Sequence, residues 1–410
     1  MTLAIDTRVA ITGVSVFTPF GVGWEPLESA LHEGRVAVEP AADQPEVGLA
    51  KVHDFDPQRH VTVRGMRVYP RASQLEICAA AVALADAGLT GDAALDAKDL
   101  GLVTASSHSH LETLIEYDRG LVTVGMQRTN PTLMPLGLPS APGAATGLAL
   151  PAKAFSITLN DGGASGLAAL GLGARAIASG RARACIVAGA FTPFAELLRA
   201  SFAAGTTSSA ERFRVLDRDA AGVAFGEAAA ALVLEPLEAA LARGRTPLGV
   251  LRGEASRFAP PGASLASALE RAISGVLGPN PQGLAPARPR VAPEQIRLAC
   301  VGANGHPQDD AAHVEALSSA LGAHADRVVL AAPKANLGES MDASGLIQAI
   351  VALGALRARR APPIARLATP RTAGPIHPTR PSDLAPGAAL LTAISPSRSC
   401  SALVLSLEPE

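Results

Sequence analysis

The sequence predicts an α/β protein made of two similar halves, and three observations carry that prediction. Short apolar runs alternate with segments of helical period, and glycine-bearing turns join them. The alternation stops at a Pro-rich stretch, 278–293 (GPNPQGLAPARPRVAP), read as a surface loop, and then starts again. At 410 residues the chain is longer than one hydrophobic core usually spans, and its 48% apolar and 18% charged residues suit a large buried interior. The halves are read as 1–244 and 245–410.

Residues 9–17 read as a buried first strand, and Gly21-Val22-Gly23 opens a helix at Trp24. Residues 72–89 form a helix that is apolar on most of its circumference, which implies burial, and a strand follows at 100–104. The stretch 108–151 carries Pro and Gly throughout and is read as irregular. A strand at 155–159 runs into the turn Asn160-Asp161-Gly162-Gly163 and a helix at 164–179. Next come a strand at 185–190, paired strands around Gly226 at 223–235, and a helix at 237–243 that Gly244 ends. Beyond the Pro-rich stretch the order is strand 298–301, helix 311–321, strand 328–331 and helix 344–359.

Bulk properties exclude several functions. The 35 basic and 37 acidic residues are dispersed, so no basic stripe exists for nucleic acid. No apolar run reaches the roughly 20 residues a bilayer requires, and the first residues lack the basic-then-apolar pattern of an export signal. The expectation is a cytoplasmic protein with no membrane partner. Cys78, Cys185, Cys300 and Cys400 are far apart and show no metal-ligand spacing, so reduced thiols and no metal are expected.

Four segments in order carry the chemistry. They are Asp161-Gly162-Gly163-Ala164-Ser165-Gly166; the acidic stretch from Leu216-Asp217 to Phe225-Gly226-Glu227-Ala228; Gly302-Ala303-Asn304-Gly305-His306; and Lys334-Ala335-Asn336-Leu337-Gly338-Glu339-Ser340-Met341-Asp342-Ala343-Ser344-Gly345. They resemble the motifs TACxSG, FDxxRDGFVxGEG, NAHGT and KSxxGHxxGAAG of the β-ketoacyl synthase family, over nearly the whole chain. The resemblance implies a thiolase-type five-layered αβαβα fold of two similar halves.

It also implies a degenerate active site. The family's nucleophilic cysteine sits where a strand turns into a helix, so that the helix N-terminus lowers the thiol pKa. Here Gly163 stands in its place. The first catalytic histidine corresponds to Asn304, which can donate a hydrogen bond but cannot supply a proton near neutral pH. The second corresponds to Glu339, whose charge opposes the carboxylate or enolate of a condensing substrate. Lys334 and Glu315 stand at retained family positions and are expected to form a buried ion pair. The family's later glutamate is Gln348, and its gating loop GFGG is Ser395-Pro396-Ser397-Arg398-Ser399.

Other residues have competing readings. Ser165 is read as structural because no GxSxG elbow surrounds it. Asp161 is read as a helix N-cap in preference to a general base. His306, Asp309, Asp310 and His313 are read as a solvated face or cap in preference to a metal set. His108 and His110 are read as loop residues lining a pocket or an interface.

A chain of this fold with no Cys-His-His set resembles the chain-length factor of type II polyketide, aryl-polyene or fatty-acid-like systems, a non-condensing subunit that pairs with an active ketosynthase. Gly163 departs from the glutamine usual in aromatic systems and favours a divergent, polyene-type relative. The resemblance places the pairing strand around 154–157, with 140–151 at the interface and Leu111, Met126 and Met134 as candidates for the tunnel end. It implies an acyl carrier protein bearing 4′-phosphopantetheine as second partner and no cofactor on the chain itself. Two alternatives stand beside it: an enzyme of altered chemistry (acyl transfer or cyclisation) using Asp161, His306 or Glu339 on a carrier- or coenzyme A-bound acyl group, and a carrier-docking scaffold.

Overall fold

The computed structural model describes residues 8–108, 110–150, 152–277 and 291–407. The Pro-rich stretch expected to form a surface loop lies mostly outside the described residues.

Among the described residues, eleven strands form one sheet in which the same five-strand pattern occurs twice. At one edge, Phe155–Leu159 runs parallel to Leu100–Ala105, and that strand is parallel to Ala184–Phe191. Ala228–Pro236 and then Val9–Thr18 follow antiparallel. At the other edge, Val329–Ala331 is parallel to Ile296–Val301, which is parallel to Ala388–Ile394. Ser399–Ser406 and then Gly249–Phe258 follow antiparallel. Val9, Ala10 and Ile11 pair with Leu251, Val250 and Gly249 and join the two sets.

Helices make the remaining layers. Arg71–Asp86 and Ala141–Ala149 cover the outer face of the first set, and Leu265–Val276 with Pro307–Leu321 cover the second. Between the sets lie two central helices, Ser165–Ala178 and Met341–Ala358, each following the edge strand of its own half. They cross at glycines: a Cβ on Gly345 would come within 2.5 Å of the Leu167 backbone nitrogen, and one on Gly166 within 3.0 Å of the Gly345 Cα. Any larger residue at this crossing would push the helices apart. Met341–Ala358 is the only helix among the described residues long and apolar enough to cross a membrane, and it lies buried inside the protein. Its apolar face covers the full circumference because a half-sheet packs on either side of it.

Two sequence expectations are overturned. The stretch 108–151 holds three helices, Leu111–Thr123, Leu133–Leu136 and Ala141–Ala149. Their Pro residues fall in short or first turns, where a missing N–H costs nothing. The segment 223–235 does not pair with itself. Phe225–Gly226 pairs with Leu49 and Ala50, while Ala228–Pro236 lies between Val9–Thr18 and Ala184–Phe191.

Candidate active site

The two central helices begin side by side. In the first half, Gly162 adopts φ +52°, and a Cβ there would lie 2.6 Å from Ser395 Oγ, so the turn into Ser165–Ala178 requires glycine at this position. In the second half, the turn Lys334–Leu337 and Gly338 (φ +77°) deliver Glu339 to the start of Met341–Ala358. A Cβ on Gly163 would sit 3.9 Å from both Glu339 Oε1 and Lys334 Nζ. The loop after Ile296–Val301 brings Asn304 to the same point. Gly163, Asn304 and Glu339, distant in sequence, thus meet at one centre.

Glu339 is the hub. Lys334 Nζ (2.6 Å) and Asn304 Nδ2 (3.0 Å) donate to its Oε2, while the Met341 N–H (2.8 Å) and Ser344 Oγ (2.9 Å) donate to its Oε1. Burial pushes the Glu339 carboxyl up, but the Lys334 ammonium and the hydrogen bonds from Lys334, Asn304 and Ser344 more than offset it and hold it below the usual carboxylate range. Its backbone is fixed on both sides, accepting from Gly226 N–H (2.9 Å) and donating to Ala224 carbonyl (2.7 Å). The Asn304 loop is fastened by buried Asp310, which accepts from Asn304 N–H, Gly305 N–H and, across the core, Leu216 N–H. Burial pushes the Asp310 carboxyl up to about 6.

Several site expectations change. Glu315 is exposed, and Lys334 pairs with Glu339 in its place. A two-residue offset explains the error: His313, on the inward face of the same helix, is fully buried and shares a hydrogen bond with Thr392 Oγ1 (2.9 Å). Burial and the Lys334 charge bring its pKa down to about 3, so the ring is neutral. Asp310 and His313 are therefore core residues and not a solvated face. Asp161 caps no helix; it accepts from Ser397 Oγ (3.0 Å) and so ties the 395–399 loop to the glycine turn. Gln348 donates to the carbonyls of Cys300 and Thr392.

Ser165 is buried and structural: its Oγ accepts the Asp161 N–H (2.7 Å) and lies 3.1 Å from Ser107 Oγ. His306 lies 3.5 Å from Asp309, whose hydrogen bond raises the imidazole pKa. Among the described residues no cluster suited to a metal ion occurs. His110 is buried just before Leu111–Thr123, and His108 meets Phe191 edge-on. Leu111 is half-buried, whereas Met126 (81% exposed) and Met134 (47%) stand on the surface of the chain.

Three buried polar residues escaped the sequence reading. Asp342 accepts the N–H groups of Ser107 (2.9 Å) and His108 (3.3 Å), and Ser344 holds Glu339. Glu76, in the apolar Arg71–Asp86 helix, accepts from Thr146 Oγ1 (2.9 Å), and burial pushes its carboxyl up to about 8. A signal for the first two was present, since Asp342 and Ser344 replace a glycine and an alanine of the KSxxGHxxGAAG motif.

Positions 163, 304 and 339 carry neither cysteine nor histidine, and the Glu339 carboxylate accepts four hydrogen bonds. The single substitution Gly163→Cys is therefore expected to give no malonyl condensation, because Glu339 opposes thiolate and enolate formation and neither histidine is present. Condensation by that variant above the wild-type background, measured by product mass, would contradict this account of Glu339.

Comparisons with known proteins agree with the geometry. The N-terminal domain of β-ketoacyl synthases matches residues 6–240 and the C-terminal domain matches residues 283–368. The actinorhodin polyketide putative β-ketoacyl synthase 2 of Streptomyces coelicolor is 30% identical over 367 residues, covering 85% of this chain and 86% of that protein. The 3-oxoacyl-[acyl-carrier-protein] synthase 2 of Synechocystis is 26% identical over 382 residues, 88% of each chain. The ishigamide ketosynthase/chain length factor superposes with a TM-score of 0.86 at 23% identity, over 98% of this chain and 100% of that one. The chain belongs to the β-ketoacyl synthase family.

Proposed function

We infer that the protein is a non-condensing, chain-length-factor-type subunit that pairs with an active ketosynthase and shapes the acyl tunnel in a type II polyketide or fatty-acid-like system. The observation that carries this reading is the centre itself, where Gly163, Asn304 and Glu339 replace the condensing residues and Lys334 neutralises Glu339 internally. Architecture is kept while nucleophile and acid–base chemistry are gone.

An open sheet edge supports the pairing. Among the described residues Phe155–Leu159 ends the sheet with one neighbouring strand, and its side chains are half-buried or exposed. Leu148 (78% exposed) lies on the helix Ala141–Ala149 that packs against this strand, and Val122 (87%) and Met126 (81%) are further exposed apolar residues of the kind a subunit interface covers. A ketosynthase of the same fold is the occupant that fits such an edge, and its cover would turn Met126 and Met134 from surface into tunnel wall. An acyl carrier protein with its 4′-phosphopantetheine arm is the second partner of this reading. It further places the protein in the cytoplasm and divides the chain into halves at 244/245.

The test is co-expression with a ketosynthase encoded beside it, purification of the complex and mass analysis of the products. The expected result is a heterodimer whose product lengths change when the tunnel-wall residues of this chain change. A self-contained homodimer, with the ketosynthase making the same products alone, would sink the reading.

A further inference from the structure

The donors around Glu339 form a complete receptor for a carboxylate. Each carboxylate oxygen accepts two hydrogen bonds, from Lys334 and Asn304 on Oε2 and from the Met341 N–H and Ser344 on Oε1, all within 3.0 Å. One donor is a backbone N–H in the first turn of a central helix, where the helix dipole favours an anion. None of the donors depends on Glu339 for its place. Lys334 is also held by the Gly302 carbonyl (3.0 Å), Asn304 is held through its Oδ1 by the His306 N–H (3.0 Å), and Ser344 and Met341 belong to the buried helix. Lys334, Ser344 and Met341 are all more than nine-tenths buried, so the receptor is built into the core.

We propose that these four donors are a carboxylate-binding site of the fold, filled from within by this chain's own Glu339, so that the native protein takes no carboxylated acyl group at this centre and accepts one only when the tether is removed. The ligand class follows from the donor set, which offers two hydrogen bonds to each of two oxygens on a planar monoanion and one full positive charge to balance it. Gly163 places no side chain beside the receptor, and a Cβ there would lie 3.9 Å from Glu339 Oε1 and 3.2 Å from the Ile394 carbonyl oxygen. The site goes beyond the pairing with a ketosynthase and is tested on the purified chain alone, so either can fail without the other.

The experiment is thermal unfolding of wild type, Glu339→Ala and the double variant Glu339→Ala/Lys334→Met, titrated with sodium formate, acetate and malonate against chloride at matched ionic strength. Glu339→Ala is expected to gain about 2 °C or more, saturably, with formate or acetate, while wild type and the double variant respond no more than to chloride. An equal response of wild type and Glu339→Ala, or an equal effect of chloride, would overturn the proposal. If Glu339→Ala does not fold in chloride, refolding it in formate or acetate is expected to restore a wild-type circular dichroism spectrum. Failure to refold in both would overturn the proposal as well.

Discussion

Lys334→Met is expected to destabilise the protein by about 3–5 kcal/mol at pH 7.5, the range typical of removing one partner from a buried ion pair. The pair is 2.6 Å apart with both side chains about 4% exposed, so little solvent would compensate the remaining carboxylate. In the wild type the Glu339 carboxyl lies below its ordinary 4.5, and the stability this contributes is present above pH 4.5 and lost as the pH falls through the lowered value. Without Lys334, burial dominates and the carboxyl titrates above its ordinary value. The deficit should therefore be largest near neutral pH and shrink as the medium is acidified enough to protonate Glu339. Lys334→Met/Glu339→Gln should recover most of the loss, because no buried charge remains. Guanidinium unfolding at pH 7.5 and pH 5 checks both statements, and an unchanged midpoint for Lys334→Met at pH 7.5 would show that the pair does not hold the core.

Glu76→Gln carries an expected effect of opposite sign. The folded chain keeps the Glu76 proton up to about pH 8, whereas the unfolded chain releases it near 4.5. Between those values the unfolded state binds fewer protons, so stability falls as pH rises, by about 1.4 kcal/mol per unit at most. Glutamine has the same shape, still accepts from Thr146 Oγ1, and has no proton to lose. Glu76→Gln should match the wild type near pH 4.5 and exceed it by about 3 kcal/mol at pH 7, with the difference growing up to pH 8. A difference that stays flat across this range would show that Glu76 is ionised in the fold.

The parts of the molecule that were legible in the sequence are those whose signals are local. The strand-to-helix turn at Asn160-Asp161-Gly162-Gly163 was readable because a positive-φ turn, a preceding apolar run and a following helical period fall within one short segment. The meeting of Gly163, Asn304 and Glu339 at one centre was readable because each lies inside a motif. The errors share a different cause, which is that the deciding contact is remote. Glu315 and His313 are two residues apart, and only the packing of their helix against Thr392 and Lys334 decides which points inward. Ala228–Pro236 pairs with a strand more than two hundred residues earlier, which no local period can reveal. Glu76 sits in an apolar helix and meets Thr146 from a segment rich in Pro and Gly, so neither the residue nor its partner advertised the contact.

The glycine crossing of the two central helices has a bearing on how the two turns at their starts are held. Gly166 and Gly345 bring main chain against main chain, so the distance between the two turns is set by peptide groups alone. The crossing itself holds with no side chain from either glycine between the helices.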